Sequence, residues 1–351
     1  MLNQIFLLSI ICYLLAGCGG SDKVNRVEVA KISFQSIELE ACVKRGNKIY
    51  AEEVTTINCT AFSDTSIGDL VHFPNLEHLR LESDSLKSID LSHLPNLKTL
   101  DLSGKKSESF FPHVIDIAYN QLTEINFDNN PKLVSIKLSY NKLTEINLDN
   151  NLNLQYLDLS NNQLTEINFD NSPNIEVLYL SDNPLTEVNL DNNLNLEALH
   201  LLNTPLTEVI LDNSPNLETL YLSNNQLTKI SLDNNLNLQY LYLLNTPLTE
   251  INIDNNLNLQ YLYLSNNQLT GLNIDNQLSL TELSIRHNQL TEINIDNNLN
   301  LYHLNLKDNH LTEINVNNNI RLHLLELRLN PLSESTKDYL DSLDWIYQIY
   351  Y

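Results

Sequence analysis

Glycine is scarce in this chain, with seven in 351 residues. Phosphate-cradling loops and doubly wound nucleotide folds depend on glycine for tight turns and for close approach of backbone to ligand. That class is therefore disfavoured, and the fold has to make its turns with other residues. Positive charge is scarce as well: 20 Lys and Arg stand against 44 Asp and Glu, a net charge of -24. Nucleic acid and anionic lipid surfaces are poor partners for such a chain, because both need cationic side chains at the contact. The apolar run from Ile5 to Leu15 is too short for a spanning helix, which takes about 20 residues. Motifs of catalysis are missing too, with no Gly-rich phosphate loop, GxSxG, HExxH or CxxC. No enzymatic activity and no cofactor are expected.

What the chain has is repetition. From Asn120 one pattern returns every 21 residues, with Asn120, Asn141, Asn162, Asn183, Thr204, Asn225, Thr246, Asn267, Asn288, Asn309 and Asn330 in a single column. In the copy LNLQYLDLSNNQLTEINFDNS, from Leu152 to Ser172, the residues Leu154, Leu157, Leu159, Asn162 and Leu164 follow LxxLxLxxNxL. Equivalent leucine segments should stack as strands of a parallel sheet, about 4.8 Å apart. The second half of each copy, typically TEINLDNN, alternates apolar and polar residues and should be extended. The column asparagine should turn inward to the backbone, while Thr204 and Thr246, each followed by proline, keep a hydroxyl there.

This spacing resembles the leucine-rich repeat, and in its length the 21-residue, internalin-type repeats of bacterial surface proteins. The resemblance covers residues 76–332. It implies a right-handed, mostly β solenoid with a concave parallel sheet, extended convex segments and small helical caps, acting by binding. Residues 33–75 are expected to form the N-terminal cap, with FQSIELEACVK as a short amphipathic helix and EEVTTINCT as a first strand that turns Ile57 and Cys59 inward. Residues 333–351 should form the other cap: SESTKDYLDSL a helix with Ser333 or Ser335 as N-cap and Leu340 and Leu343 inward, then WIYQIYY a last strand. The repeat fails once, across KKSESFFPHVIDIAY before Asn120, where an irregular coil or bulging loop carrying Phe110 and Phe111 is expected.

Residues 1–17 carry no charged side chain and read as a secretory signal. Leu15, Ala16, Gly17 and Cys18 resemble a bacterial lipobox. That resemblance implies acylation of Cys18, residues 18–32 as a tether, and a membrane contact made through lipid alone. With Gly19 after the cysteine it further implies the outer membrane of a Gram-negative envelope. The alternative is an ordinary signal peptide with an incidental Cys18. On the lipobox reading Cys12 leaves with the signal and Cys42 and Cys59 remain, in an exported chain most simply a disulfide worth about 3 kcal/mol. Two buried thiols are the alternative. Resemblance to the cap of exported leucine-rich repeat proteins also brings these two cysteines together.

Two acidic columns run through the repeats, one from Glu124 to Glu313 and one from Asp128 to Asp296. Like charges so close repel by roughly 1 kcal/mol even in water, so both should be exposed, the aspartates setting Asx turns in preference to binding calcium. His303 and His323, near Glu326, read as exposed strand residues in preference to a metal site. The outward residues of the leucine strands are more informative. One column reads Asp158, Tyr179, His200, Tyr221, Tyr242, Tyr263; its neighbour holds Tyr156, Tyr240 and Tyr261. Exposed aromatic area marks interaction sites, although stacked tyrosines also brace a sheet. A concave surface of Tyr156, Tyr179, His200, Tyr221, Tyr240, Tyr242, Tyr261 and Tyr263, with Leu202 and Leu244 beside it and Glu176, Glu197 and Glu218 at its rim, is expected to take a protein partner or, as the alternative, a glycan. A passive structural role in the envelope is the third reading. The protein itself is expected to be a monomer.

Overall fold

A computed structural model of the chain describes residues 26–62, 66–104 and 120–351. The expected signal, Cys18 and its lipid, and the loop with Phe110 and Phe111 lie outside these residues.

Each leucine segment contributes a three-residue strand such as Tyr156–Asp158, whose central leucine is buried and whose outer residues are half-exposed. Each coil turns its leucines into one continuous core; Leu154, Leu157, Leu159 and Leu164 are all fully buried. Fourteen parallel strands follow one another in chain order from Thr56–Phe62 to Gln348–Tyr350. Pairing keeps the repeat in register, with Tyr156 opposite Val177 and Leu157 opposite Leu178. The architecture is the expected leucine-rich repeat solenoid.

The scarcity of glycine is resolved at the turn after the strand. There Tyr140, Asn161, Asp182, Asn203, Asn224, Asn245, Asn266, His287, Asp308 and Leu329 all take φ between 55° and 62°. Asparagine and aspartate tolerate this left-handed region better than other residues that carry a side chain, and they hold most of the column. Their side chains also join successive turns, Asn203 Nδ2 donating to Asp182 Oδ1 at 3.0 Å and Asn245 Nδ2 to Asn224 Oδ1 at 2.7 Å.

The column asparagines are buried and bind backbone. Asn162 Nδ2 donates to the Leu159 and Leu138 carbonyls at 2.9 and 3.0 Å, and its Oδ1 accepts from Leu143 N at 3.0 Å. Thr204 and Thr246 instead donate their hydroxyls to Asn225 and Asn267 of the next coil. A second buried ladder, absent from the sequence reading, occupies the opposite turn. Asn256 Nδ2 donates to the Leu232 and Asn235 carbonyls, and Asn298 and Asn319 repeat the arrangement. Each coil is thus tied to its neighbours at both turns, where losing one such bond costs about 1 to 3 kcal/mol.

Among the described residues the convex side of the repeats carries extended chain without α-helices, but β pairing there is confined to Glu187–Asn189 with Glu208–Ile210 and Ser66–Ile67 with Ser88–Ile89. In most coils an asparagine side chain takes a backbone donor, as Asn147 Oδ1 accepts from Asp149 N at 2.9 Å. Where the two strands pair, Leu190 N donates to the Ile210 carbonyl at 3.1 Å.

The break before Asn120 is an insertion within one coil. Thr99–Asp101 pairs directly with Ser135–Lys137, a step of 36 residues where neighbouring pairs step by 21. Asn120 takes the column place of that coil, its Nδ2 donating to the Leu102 carbonyl at 2.9 Å and its Oδ1 accepting from Leu86 N at 3.2 Å.

Both ends are capped. Helix α1, Ile37–Arg45, starts at Ser36, whose Oγ accepts from Leu39 N at 3.0 Å, and the Asp69 carboxylate accepts from Gln35 N and Ser36 N. Cys42 of α1 is bonded to Cys59 of the first strand, with Cα atoms 5.6 Å apart, and Ile57 and Cys59 face inward. Helix α2, Glu334–Asp341, is capped by Ser333, whose Oγ accepts from Thr336 N at 3.2 Å. Leu340 is buried, and Gln348–Tyr350 closes the sheet.

Candidate functional site

The concave sheet faces outward through the first and third residue of every strand. Because each strand is in register with the next, identical side chains fall on top of one another. Tyr179, His200, Tyr221, Tyr242 and Tyr263 form one stack, with successive ring centroids 4.3, 4.5, 4.3 and 4.5 Å apart and planes within 21° of parallel. Tyr240 and Tyr261 stack beside it at 4.9 Å. Tyr156 lies in the neighbouring column and meets Tyr179 diagonally at 5.7 Å, with Lys137 Nζ 5.0 Å from its ring centroid. All eight predicted residues therefore share one surface. They are half-buried, and within the main stack His200, Tyr221 and Tyr242 have a ring over each face.

This packing sets the electrostatics. Burial, followed by the Asp158 charge, pushes the Tyr156 hydroxyl up to about 12. Burial with Tyr221 alongside pushes Tyr242 to about 12. Tyr263 is raised further, by burial first and then by donating its hydroxyl hydrogen to Glu282. Burial between two tyrosines lowers the His200 pKa, so its imidazole stays neutral at neutral pH. The middle of the concave face is thus an uncharged, hydroxyl-edged aromatic strip. Leu202 and Leu244 are half-exposed next to it, and Glu176, Glu197 and Glu218 stand one residue before the strand on the rim.

The strip is bounded by charge. Towards the N-terminus Arg80 Nε meets Asp101 at 3.2 Å and Lys98 meets Glu77 at 2.9 Å. Towards the C-terminus Arg328 binds Glu326 and holds that carboxyl below its usual range. Glu326 is therefore engaged by a guanidinium, while His303 contacts Glu282 at 3.3 Å and the His303 and His323 rings stand 6.4 Å apart. Among the described residues no cluster of three or more His, Cys, Asp or Glu is placed to hold a metal.

The aspartate column departs from its expected role. It is the asparagine two residues earlier that sets the Asx turn, as Asn126 Oδ1 accepts from Asp128 N at 2.7 Å. The aspartates accept from asparagines of adjoining coils, Asn171 of the next coil donating to Asp149 Oδ1 at 2.9 Å and Asn294 to Asp275 Oδ1 at 2.9 Å. An amide between successive carboxylates relieves the repulsion that a bare ladder would carry.

The sequence reading missed a second stack. Tyr302, His323 and Tyr347 lie at 4.9 and 4.8 Å with planes within 6° of parallel. Tyr302 and His323 stand 21 residues apart, so the period itself carried that signal. Open clefts lie on the convex side at Gly271, Glu292 and Glu313, about 730 Å³, and at Glu208, Lys229 and Glu250, about 720 Å³. Neither brings convergent chemistry.

Family models of leucine-rich repeats match residues 152–194, as two copies, and residues 216–236 and 258–276. No curated protein sequence matches the chain. An internalin, InlF of Listeria monocytogenes, shares the fold at a TM-score of 0.73 and 23% identity, over 92% of this chain and 91% of that one. The functional domain of InlJ from Listeria monocytogenes, which includes a cysteine ladder, gives 0.68 at 22% identity; 86% of this chain is covered, spanning 61% of that one. A plant peptide hormone receptor, RGFR1 in complex with RGF2, gives 0.61 at 24% identity over 77% and 48% of the two chains. Among the described residues no helix is long and apolar enough to cross a membrane. Repeat spacing, sheet register and these likenesses together make the chain a leucine-rich repeat solenoid, similar in fold to the internalins.

Proposed function

We propose that this protein is a non-enzymatic binding module of the cell envelope, held at the membrane by a lipid on Cys18, that captures a protein partner on its concave aromatic strip. The observation that carries this reading is the unbroken stack from Tyr179 to Tyr263. Five rigid rings over five coils supply amphipathic contact area at low entropic cost. The likeness to RGFR1, seen with RGF2, supports a solenoid of this shape serving a polypeptide ligand. Glu176, Glu197 and Glu218 on the rim favour a neutral or basic partner.

The stacking supports the protein reading over the glycan one. A sugar ring packs on an aromatic face, and within the stack those faces are covered by the neighbouring ring at 4.3 to 4.5 Å. Edges and hydroxyls suit backbone groups and side chains of a polypeptide.

Replacing Tyr221, Tyr242 and Tyr263 together with serine tests the proposal. Capture of the partner from native envelope should be lost while the circular dichroism spectrum is retained. Undiminished capture by the folded triple variant would contradict the concave-face reading. Glycan-array binding lost in the same variant would move the ligand to the sugar class.

A further inference from the structure

The turn that leads into each concave strand carries a row of large apolar side chains in the open. Leu236, Leu257, Leu278, Leu299 and Ile320 occupy the same place in five successive coils and are 52% to 72% exposed. Earlier coils interrupt the row, with Pro131, Pro173 and Pro215 alternating with Leu152 and Leu194. Leucines of the core are forced inward by the strand, but nothing in the fold requires a leucine at this position, since proline serves there equally well. The ridge is firmly held: Asn258 Nδ2 donates to the Leu236 carbonyl at 2.9 Å and Asn300 Nδ2 to the Leu278 carbonyl at 3.0 Å. Five coils at about 4.8 Å make a straight apolar edge roughly 20 Å long.

The ridge is also free of charge in a chain of net charge -24. Around each of these coils the chain runs from an aspartate on the convex side, Asp233, Asp254, Asp275 or Asp296, across the ridge to Gln239, Gln260, Thr281 or Tyr302 on the concave side. The ridge itself carries no charged residue from Leu236 to Leu299; on its concave flank the one carboxylate over this stretch is Glu282, which is engaged by Tyr263 and His303, and Arg321 is the first cation beside the ridge. Two copies of so acidic a protein can meet only where charge is missing.

We propose that a second copy of the chain docks here, ridge on ridge, about a two-fold axis that runs along the ridge. That axis turns the aspartate flank of one copy onto the glutamine, threonine and tyrosine flank of the other. A two-fold axis across the ridge would set aspartate against aspartate, which costs free energy. Leu257, Leu278 and Leu299 then each meet their own counterpart, as an isologous contact requires. Both N-termini lie at the same end of the pair, which suits two chains tethered to one surface. A lipid surface is the poorer occupant, because the ridge lacks flanking cations and has a carboxylate ladder one step away. The contact is narrower than the roughly 800 Å² per partner of a stable complex, so the dimer is weak in solution and strengthened by shared tethering.

Sedimentation equilibrium of the full chain over a concentration series, at low and high salt, tests this. A monomer–dimer equilibrium that tightens with salt is expected, since salt screens the acidic repulsion and leaves apolar burial intact. The double variant Leu257→Asp, Leu278→Asp should weaken association about a hundredfold with an unchanged thermal midpoint. If the aspartates perturb the fold, Leu257→Gln with Leu278→Gln should show the same direction of change. On mild oxidation Leu278→Cys should yield a covalent dimer above the wild-type background. A wild-type chain that stays monomeric throughout, or a dimer that the double variants leave intact, would overturn the proposal. So would a monomeric chain whose ridge binds zwitterionic vesicles, which would assign the leucines to lipid.

Discussion

At the scale of single residues the fold depends on asparagine doing what glycine does elsewhere. The turn column from Asn161 to Asn266 accepts positive φ, and Asn162 and its equivalents saturate the backbone inside the turn. Leu329 is the misfit: it holds φ at 62°, is well exposed, and has no amide to offer its neighbours. A left-handed conformation costs such a side chain roughly 1 to 2 kcal/mol, a cost that asparagine offsets in part through local hydrogen bonds. Leu329→Asn should therefore raise stability by about 1 kcal/mol, read as an upward shift of the thermal midpoint; a downward shift would mean that Leu329 makes a contact the turn needs. The inward column asparagine could be read from its period, because asparagine, twice replaced by threonine, at one fixed spacing has few explanations. The left-handed residue next to it could not, since Tyr, His, Asp and Leu also occur there and backbone conformation leaves no single compositional trace.

At the scale of the coil and its strand, leucine position and strand pairing were readable because a 21-residue period fixes both together. Alternation of leucine and tyrosine in LQYLYL assigns the faces, and the register Tyr240 to Tyr261 and Tyr242 to Tyr263 follows. Less readable was which leucines leave the core. Leu236 and Leu238 are two residues apart along the turn, yet one is half in water and the other has no exposure. The stack itself has a pH signature. His200 is buried between Tyr179 and Tyr221, and its folded pKa lies below the unfolded value of about 6.5. A histidine whose pKa is lowered by folding contributes fully above its unfolded pKa, and the contribution is lost as pH falls from there towards the folded value. Stability of the wild type should drop across that acid window, and His200→Tyr, which continues the aromatic column, should flatten the drop. Equal pH profiles for the two proteins would show that His200 carries no such burden.

At the scale of the whole molecule the solenoid separates its surfaces by chemistry. The convex turns are an acidic belt in which asparagine amides sit between carboxylates, the ridge from Leu236 to Ile320 is apolar, and the concave strip is aromatic and neutral in its middle. Long-range repulsion from a net charge of -24 keeps most acidic surfaces apart, which favours the strip and the ridge as the two proposed places of contact. The direct measurement of the central claim is site-specific photocrosslinking in the native envelope. A photoreactive phenylalanine analogue in place of Tyr242 keeps an aromatic ring in the stack, and the same probe in place of Asn273 reports from the convex side. One discrete adduct from position 242 and none from position 273 is the predicted result; adducts from the convex position alone would contradict a concave binding face.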